Sequence, residues 1–192
     1  MSLMKDFIEN FGKNYGFDTA ASTELFRHAD RVGFRKNDLI VECGGYDDTL
    51  YILQTGICRA FRSQVDRNLT LWFAFGGDAV FDIFCYHGKS ASKIGIEAET
   101  DCTAFAIRKE CLEDLCASSA TMANAVRRIF ERHAFVFENN VFSLFDCEDG
   151  SERYLSLLNR HPELLKHIPL KKLASYLLVT PQSLSRIRAN LK

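Results

Sequence analysis

A chain of 192 residues with 47% hydrophobic residues and a net charge of −1 can build one large or two small domains around a packed core. It has no run of about 18 apolar residues and its first residues carry scattered charges, so we expect no membrane span, no signal peptide and a cytoplasmic location. Its seven cysteines are odd in number and form no Cys-x-x-Cys pair, so we expect free thiols and no metal site.

The sequence pattern in the first part of the chain changes from helical spacing to short strand-like runs. Residues 4 to 30 have helical spacing, whereas short runs rich in Ile, Val, Phe and Thr, broken by Gly, Asp and Asn, follow from Val32 to Arg108. Apolar and polar residues alternate over Ile57–Arg62, as expected of a strand. About eight short strands predict a jelly-roll barrel, so the fold class is α+β.

A long helix is predicted from about 119 to 145, after a short one at 109–116. Along it, residues at alternating steps of four and three form a heptad seam, which predicts a dimer interface made by Met122, Val126, Ile129, His133 and Asn140. A second stripe would pack on the barrel; its members are Phe130, Phe137, Val141 and Phe145. The alternative is a helix that packs only on its own barrel.

Two short helices are predicted at the end of the chain. Leu170, Leu173, Ala174 and Leu177 mark the first, and Thr180-Pro181 begins the second, whose apolar face is Leu184, Ile187 and Leu191. Only Leu178-Val179 separates them, and this spacing is typical of a helix-turn-helix. An ordinary helical hairpin that caps a core is the alternative.

The polar face of the second helix is a candidate for DNA contact. Arg186 can pair bidentately with guanine and Gln182 with adenine in the major groove, while lysines of the first helix would contact phosphates. The predicted DNA-binding residues are Thr180, Gln182, Ser183, Ser185, Arg186, Arg188, Lys171 and Lys172. Charge agrees, because residues 153–192 carry a net charge of +7 and the preceding residues −8.

In order and length, the barrel, the long helix and the terminal helix pair resemble the Crp/Fnr family of bacterial transcription regulators. The stretches that carry the resemblance are LYILQTGICRAF, LTLWFAFGGD, ERYLSLLNRHPELL and LASYLLVTPQSLSRIR. The last three are similar to short Bacteroidetes members without a wing, and the chain has no room for a wing after Leu191. The resemblance implies an effector domain at 1–117, a dimerisation helix at 118–147 and a DNA-binding domain at 148–192. It also makes DNA, a second copy of the chain and RNA polymerase the candidate partners.

Members of this family that bind cyclic AMP hold its ribose and phosphate with a Gly-Glu and an Arg-Ser pair. Here Phe81-Asp82 and Ser92-Lys93 stand at those positions, and Phe137 falls near the usual purine contact. Ser92 cannot replace a guanidinium, so we expect that cyclic AMP is not a tight ligand and that any effector is a different small molecule. Leu178 stands where the family usually has Gly, at a position that often requires φ > 0.

Two other functions compete with a DNA-binding regulator. A metal-dependent cupin enzyme needs clustered histidines, but the five here are widely spaced, at His28, His87, His133, His161 and His167, so we expect no enzyme. The other alternative is a cyclic-nucleotide or small-ligand binding protein that acts through protein contacts. The charge of the terminal module and Arg186 argue against it.

Overall fold

The computed structural model describes residues 2–64 and 67–190. The order of elements matches the prediction, with helices first, strands next and helices last. The helices are α1 Ser2–Tyr15, α2 Thr19–Arg27, α3 Ile83–Tyr86, α4 Lys109–Ser118, α5 Ala120–Phe145, α6 Gly150–Arg160, α7 Leu164–His167, α8 Leu170–Tyr176 and α9 Pro181–Asn190. The strands are β1 Asp30–Phe34, β2 Leu39–Val41, β3 Leu50–Thr55, β4 Ile57–Gln64, β5 Arg67–Phe75, β6 Ala79–Val80, β7 Gly95–Ala98 and β8 Cys102–Ile107.

The strands form two four-stranded antiparallel sheets that pack as a sandwich. One has the order β1-β8-β3-β6 and the other β2-β7-β4-β5. The residues between the sheets are apolar and small, among them Val41, Leu53, Ala60 and Ile96. This arrangement confirms the predicted α+β class with an antiparallel barrel-like body.

Both faces of strand β4 are buried, although its alternating sequence indicated only one buried face. Cys58 and Ala60 face the interior of the sandwich, as the alternation indicates. Ile57 and Arg59 point the other way, yet both are buried, with exposed fractions of 6% and 2%. The outer face of this sheet is therefore covered, and the cover is the group of helices at the end of the chain.

The first half of the long helix α5 packs on the chain's own barrel. Met122, Val126 and Ile129 are buried in one core with α1, α2 and the sheet residues Ile52 and Phe105. Ile129 has no exposed surface. The predicted dimer seam is therefore wrong for these three residues, because a side chain enclosed by its own chain cannot also contact a partner.

The other two seam residues also face the barrel. The ring of His133 lies against Trp72 and Phe81, with centroids 6.0 and 4.3 Å away. Asn140 is half-buried and lines the same cleft. These two half-buried residues therefore contact their own barrel, and their role in a dimer interface stays a prediction.

The second half of α5 extends past the barrel and exposes aromatic residues. Phe135, Phe142 and Phe145 are 70%, 60% and 79% exposed, and Phe137 is 44% exposed. Of the stripe predicted to pack on the barrel, Phe130 does so, but Phe137 and Phe145 do not. The later turns of α5 run beside α6, where Arg160 donates a hydrogen bond to the Ser143 hydroxyl at 3.3 Å, but these aromatic rings stay largely exposed.

Helices α6 to α9 share a separate core that includes two residues of the barrel. Tyr154, Leu157, Leu173 and Leu184 are buried together. Ile57 of β4 and Phe73 of β5 belong to the same cluster. The terminal helices therefore dock on the outer face of the β2-β7-β4-β5 sheet.

The turn between α8 and α9 has the backbone conformation that its position suggested. Leu178 has φ of +55°, in the left-handed region. This conformation costs an L-residue roughly 1–2 kcal/mol. The Leu178 side chain is 56% exposed, so burial of its apolar surface does little to offset that cost.

Candidate nucleic-acid interface and effector pocket

Helix α9 begins with the cap that its sequence predicts. The Thr180 hydroxyl accepts a hydrogen bond from the Ser183 backbone N–H at 3.1 Å. The two hydroxyls also lie 2.9 Å apart. Pro181 is the first residue of the helix, where a missing N–H costs nothing. Leu184 anchors α9 in the terminal core, so the opposite face points outward.

The outward face of α9 is polar and open. Gln182, Ser185, Arg186 and Arg188 are all exposed. Within the part of the chain that the structure describes, Arg186 has no hydrogen-bond or ion-pair partner. A fork-shaped cation on an exposed helix face can approach a planar acceptor pair or a phosphate without first breaking an internal contact.

The two lysines of α8 differ, although the sequence suggested one role for both. Lys171 is exposed. The Lys172 ammonium instead donates to Glu97 Oε1 at 3.0 Å and to Glu99 Oε1 and Oε2 at 2.8 and 3.0 Å. Lys172 was predicted to contact phosphates, and in this structure it does not present its charge to solvent, because two barrel carboxylates bind it.

The carboxylates that hold Lys172 also bind a buried arginine. Arg59 donates through Nε to Glu99 and through Nη2 to Glu97, both at 2.7 Å. Its third contact is Nη1 to the Thr70 hydroxyl at 3.1 Å. Burial by itself would raise the pKa of Glu97, but hydrogen bonds from Lys172 and Arg59 outweigh it and hold that pKa below its usual value.

Strand β5 and α8 are also joined by neutral hydrogen bonds. The Thr70 backbone N–H donates to the Ser175 hydroxyl at 2.9 Å, and that hydroxyl donates to the Asn68 carbonyl at 3.0 Å. The Thr70 hydroxyl lies 3.2 Å from the Lys172 carbonyl, to which it can donate. These barrel residues were not predicted from the sequence; the one available signal was Arg59, which stands between Cys58 and Ala60 in the apolar first half of β4.

The predicted ligand residues on the barrel are already satisfied by their own chain. Asp82 is buried and caps α3, where its carboxylate accepts from the Phe84 backbone N–H at 2.9 Å. The Ser92 hydroxyl donates to the Ile94 carbonyl at 2.6 Å. Lys93 is exposed, with its ammonium 4.7 Å from the centre of the Phe84 ring. Asp82 and Ser92 thus have partners within their own loops, and of the three only Lys93 keeps its charged group exposed.

Aromatic rings occupy the space between the barrel and α5. Phe81 is buried between Phe130, His133 and Tyr86, with ring centroids 5.0, 4.3 and 6.0 Å away. The cavity beside His133 has a volume of about 30 Å³, and a neighbouring cleft between the barrel, α5 and α6 has a volume of about 190 Å³. Phe137 lies at the edge of the cavity beside His133 and is 44% exposed. Pockets that enclose small organic ligands measure about 300–1,000 Å³.

His133 should make the stability of the fold depend on pH. Burial lowers the pKa of His133, and a backbone hydrogen bond with Ala79 opposes this effect. Because the unfolded chain then binds a proton more readily than the folded chain, the contribution is present above the usual histidine pKa of about 6.5 and is lost as pH falls below it. We expect the urea concentration at the unfolding midpoint to decrease as the pH is lowered from about 7.5 to about 5.5. The decrease should be smaller in His133→Phe.

A matched control for this measurement is His87→Phe, since His87 is exposed. This control should keep the pH dependence of the wild type. If His133→Phe showed an equally large fall in the urea midpoint, titration of His133 would not be its cause.

The cysteines agree with their prediction, as all seven are free thiols. Among the described residues, no group of three or more His, Cys, Asp or Glu side chains could hold a metal ion. No helix in the described ranges is long and apolar enough to cross a bilayer.

The fold and the sequence together define a chain with a β-sandwich domain followed by docked terminal helices. Residues 31–119 match the sequence model of the cyclic nucleotide-binding domain. No curated protein matches the chain.

Solved structures with a similar fold include two that are described as regulators. FixK2 from Bradyrhizobium japonicum superposes with a TM-score of 0.69 at 19% identity, over 85% of this chain and 84% of that one. The c-di-GMP responsive global regulator CLP from Xanthomonas campestris superposes with a TM-score of 0.70 at 18% sequence identity, over 91% of each chain. A protein from Eubacterium rectale, described as a Crp/Fnr-family transcriptional regulator, superposes with a TM-score of 0.65 at 18% sequence identity. The match covers 91% of this chain and 85% of that one. At these identities the likeness shows a shared fold.

Proposed function

We propose that the protein is a sequence-specific, DNA-binding transcription regulator of the Crp/Fnr type. The observation that carries the proposal is the exposed polar face of α9, where Gln182, Ser185 and Arg186 stand on a short helix that follows a tight turn. In this proposal α8 and α9 form a wingless helix-turn-helix within a DNA-binding domain at 148–192. An effector domain at 1–117 and a connecting helix at 118–147 precede it.

The proposal can be tested without knowledge of the operator. Binding to a random-sequence duplex should weaken steeply with salt, since each phosphate neutralised contributes about −0.9 to the slope of log K against log[salt]. Repeated selection from a random pool should then enrich one motif. Salt-dependent retention without enrichment would contradict sequence-specific regulation. Absence of retention would favour the alternative, a small-ligand binding protein that acts through protein contacts.

We propose that the regulator is a homodimer that uses the second half of α5. Phe135 and Phe142 are seven residues apart, so they share one face of the helix, and both are more than half exposed. Exposed aromatic residues of this kind mark association surfaces. A two-fold dimer would present two copies of α9 to a palindromic site. The active protein would then be cytoplasmic, and its partners would be double-stranded DNA and RNA polymerase.

Cyclic AMP should not be a tight ligand of this chain. Its phosphate needs a paired cation, but Ser92 is hydrogen-bonded within its own loop and Lys93 lies over Phe84 outside the barrel. The lost ionic contact corresponds to roughly a hundredfold or more in affinity. Calorimetric titration with cyclic AMP and cyclic GMP should give no heat at micromolar concentration.

Lys93→Ala serves as the control for that titration. Micromolar binding that disappears in Lys93→Ala would show that Lys93 turns inward to hold the phosphate, and the proposed occlusion of the site would be wrong. Any effector of the wild-type protein would then be a cyclic nucleotide.

A further inference from the structure

The barrel and helix α8 share a charge cluster that is neutral only when they are together. On the barrel, Arg59 contributes +1 and Glu97 and Glu99 contribute −2, which leaves −1. Lys172 of α8 supplies the missing +1. Glu99 has no exposed surface and Arg59 is 2% exposed, so this is an interior cluster and not a chance surface pair. The sheet face is built to receive one cation from the terminal helices.

Shape and hydrogen bonding align α8 on this face as well. Phe73 meets Tyr176 edge to face at 5.2 Å, next to the cluster. Thr70 donates the neutral hydrogen bonds described above, from its backbone N–H to the Ser175 hydroxyl and from its own hydroxyl to the Lys172 carbonyl. An ionic cluster adds little net stability by itself, but it disfavours other orientations, because any shift of α8 leaves Glu97 and Glu99 with Arg59 as their one cation and a net charge of −1 at a buried site.

In a helix-turn-helix, α8 would be the helix that lies across the DNA backbone. In such motifs the second helix enters the major groove while the first crosses the phosphates. Lys172 and Ser175 carry an ammonium and a hydroxyl that would suit phosphate oxygens. In this structure both bind the barrel, and the Glu97 and Glu99 carboxylates beside them would repel a phosphate.

We propose, on the basis of the DNA-binding function proposed above, that the barrel and DNA compete for this face of α8. The barrel residues Arg59, Thr70, Glu97 and Glu99 are then positioning residues for α8. While α8 is docked, α9 is free but Lys172 is withheld from the phosphate backbone. Undocking releases Lys172 and adds one phosphate contact. Because binding is reciprocal, DNA must weaken the docking as much as docking weakens DNA binding.

Neutral substitutions test this competition without leaving a charge unpaired. Thr70→Val removes the hydroxyl that contacts Arg59 and the Lys172 carbonyl, and Ser175→Ala removes the hydroxyl between Thr70 and Asn68. Matched controls make the same changes elsewhere. The Thr103 hydroxyl bonds Thr55, so Thr103→Val alters the barrel at a distance from α8. The Ser118 hydroxyl bonds its own helix, so Ser118→Ala leaves the docking unchanged.

Two measurements on the full-length protein give the expected result. Amide hydrogen exchange over residues 170–177 should be faster in both docking variants than in the wild type and the controls. Affinity for a random-sequence DNA duplex should rise by up to about fivefold, since one hydrogen bond is worth about that factor in the docking equilibrium. The slope of log K against log[salt] should steepen by up to about 0.9. Adding Lys172→Gln to Ser175→Ala should remove that steepening.

Each other outcome overturns the proposal in a distinguishable way. Faster exchange with unchanged affinity and salt slope would show that α8 undocks but that DNA does not use this face. Unchanged exchange would show that these hydrogen bonds do not hold α8. Absence of DNA binding by every variant and by the wild type would refute the proposed function itself, whereas the exchange data would still report on the docking.

Discussion

Replacing Ile129 with alanine should lower the free energy of unfolding by about 2–5 kcal/mol. The side chain has no exposed surface and lies where α5 crosses the barrel and the N-terminal helices. Removing its outer carbons leaves a cavity that the surrounding helices and sheet close only in part. Urea unfolding followed by circular dichroism measures the change, and Ile129→Val should cost only about 0.5–1.5 kcal/mol.

The contrasting substitution lies in the second half of α5. Phe142→Glu replaces an exposed ring, so its effect on the fold of one protomer should stay within about 0.5 kcal/mol. In a dimer formed through this face it would place like charges opposite each other, and sedimentation velocity should report a monomer. A stable dimer in Phe142→Glu, or a monomeric but fully stable Ile129→Ala, would reverse the assignment of the two halves of α5.

Arg186→Ala should weaken binding to the selected DNA site by about 1–3 kcal/mol and relax base preference at one position of each half-site. The guanidinium is exposed and has no partner within the described ranges, so its loss removes a DNA contact without disturbing the fold. Fluorescence anisotropy with the selected site and with single-base variants of it measures both effects.

Lys171→Ala is the matched control for Arg186→Ala. Lys171 is also exposed, but at the start of α8, where a contact would be to phosphate. Its removal should lower the affinity for all DNA sequences alike and reduce the slope of log K against log[salt] by about 0.9. If Arg186→Ala behaved in the same way, α9 would not be a base-reading helix.

The secondary structure could be predicted because it depends on residues that are close in sequence. Thr180-Pro181 specifies the start of α9 by local capping, and the apolar spacing around Leu184 specifies its buried side. The strands between Val32 and Arg108 follow from alternation and from turn residues in the same way. The left-handed conformation of Leu178, with φ of +55°, was instead suggested by the resemblance to the Crp/Fnr family, which usually has Gly at this position.

Only the tertiary structure decided what the faces of these elements contact. An apolar stripe on α5 has the same period whether it contacts a partner helix or its own barrel. Met122, Val126 and Ile129 were therefore predicted to form a dimer seam, but they lie in the core of their own chain. Lys172 read as a phosphate contact, because the charge of a residue does not reveal a carboxylate 73 positions away at Glu99. Asp82 and Ser92 read as ligand groups, but local backbone atoms satisfy them. Local propensity is encoded in neighbouring residues, whereas the choice among possible partners depends on long-range packing.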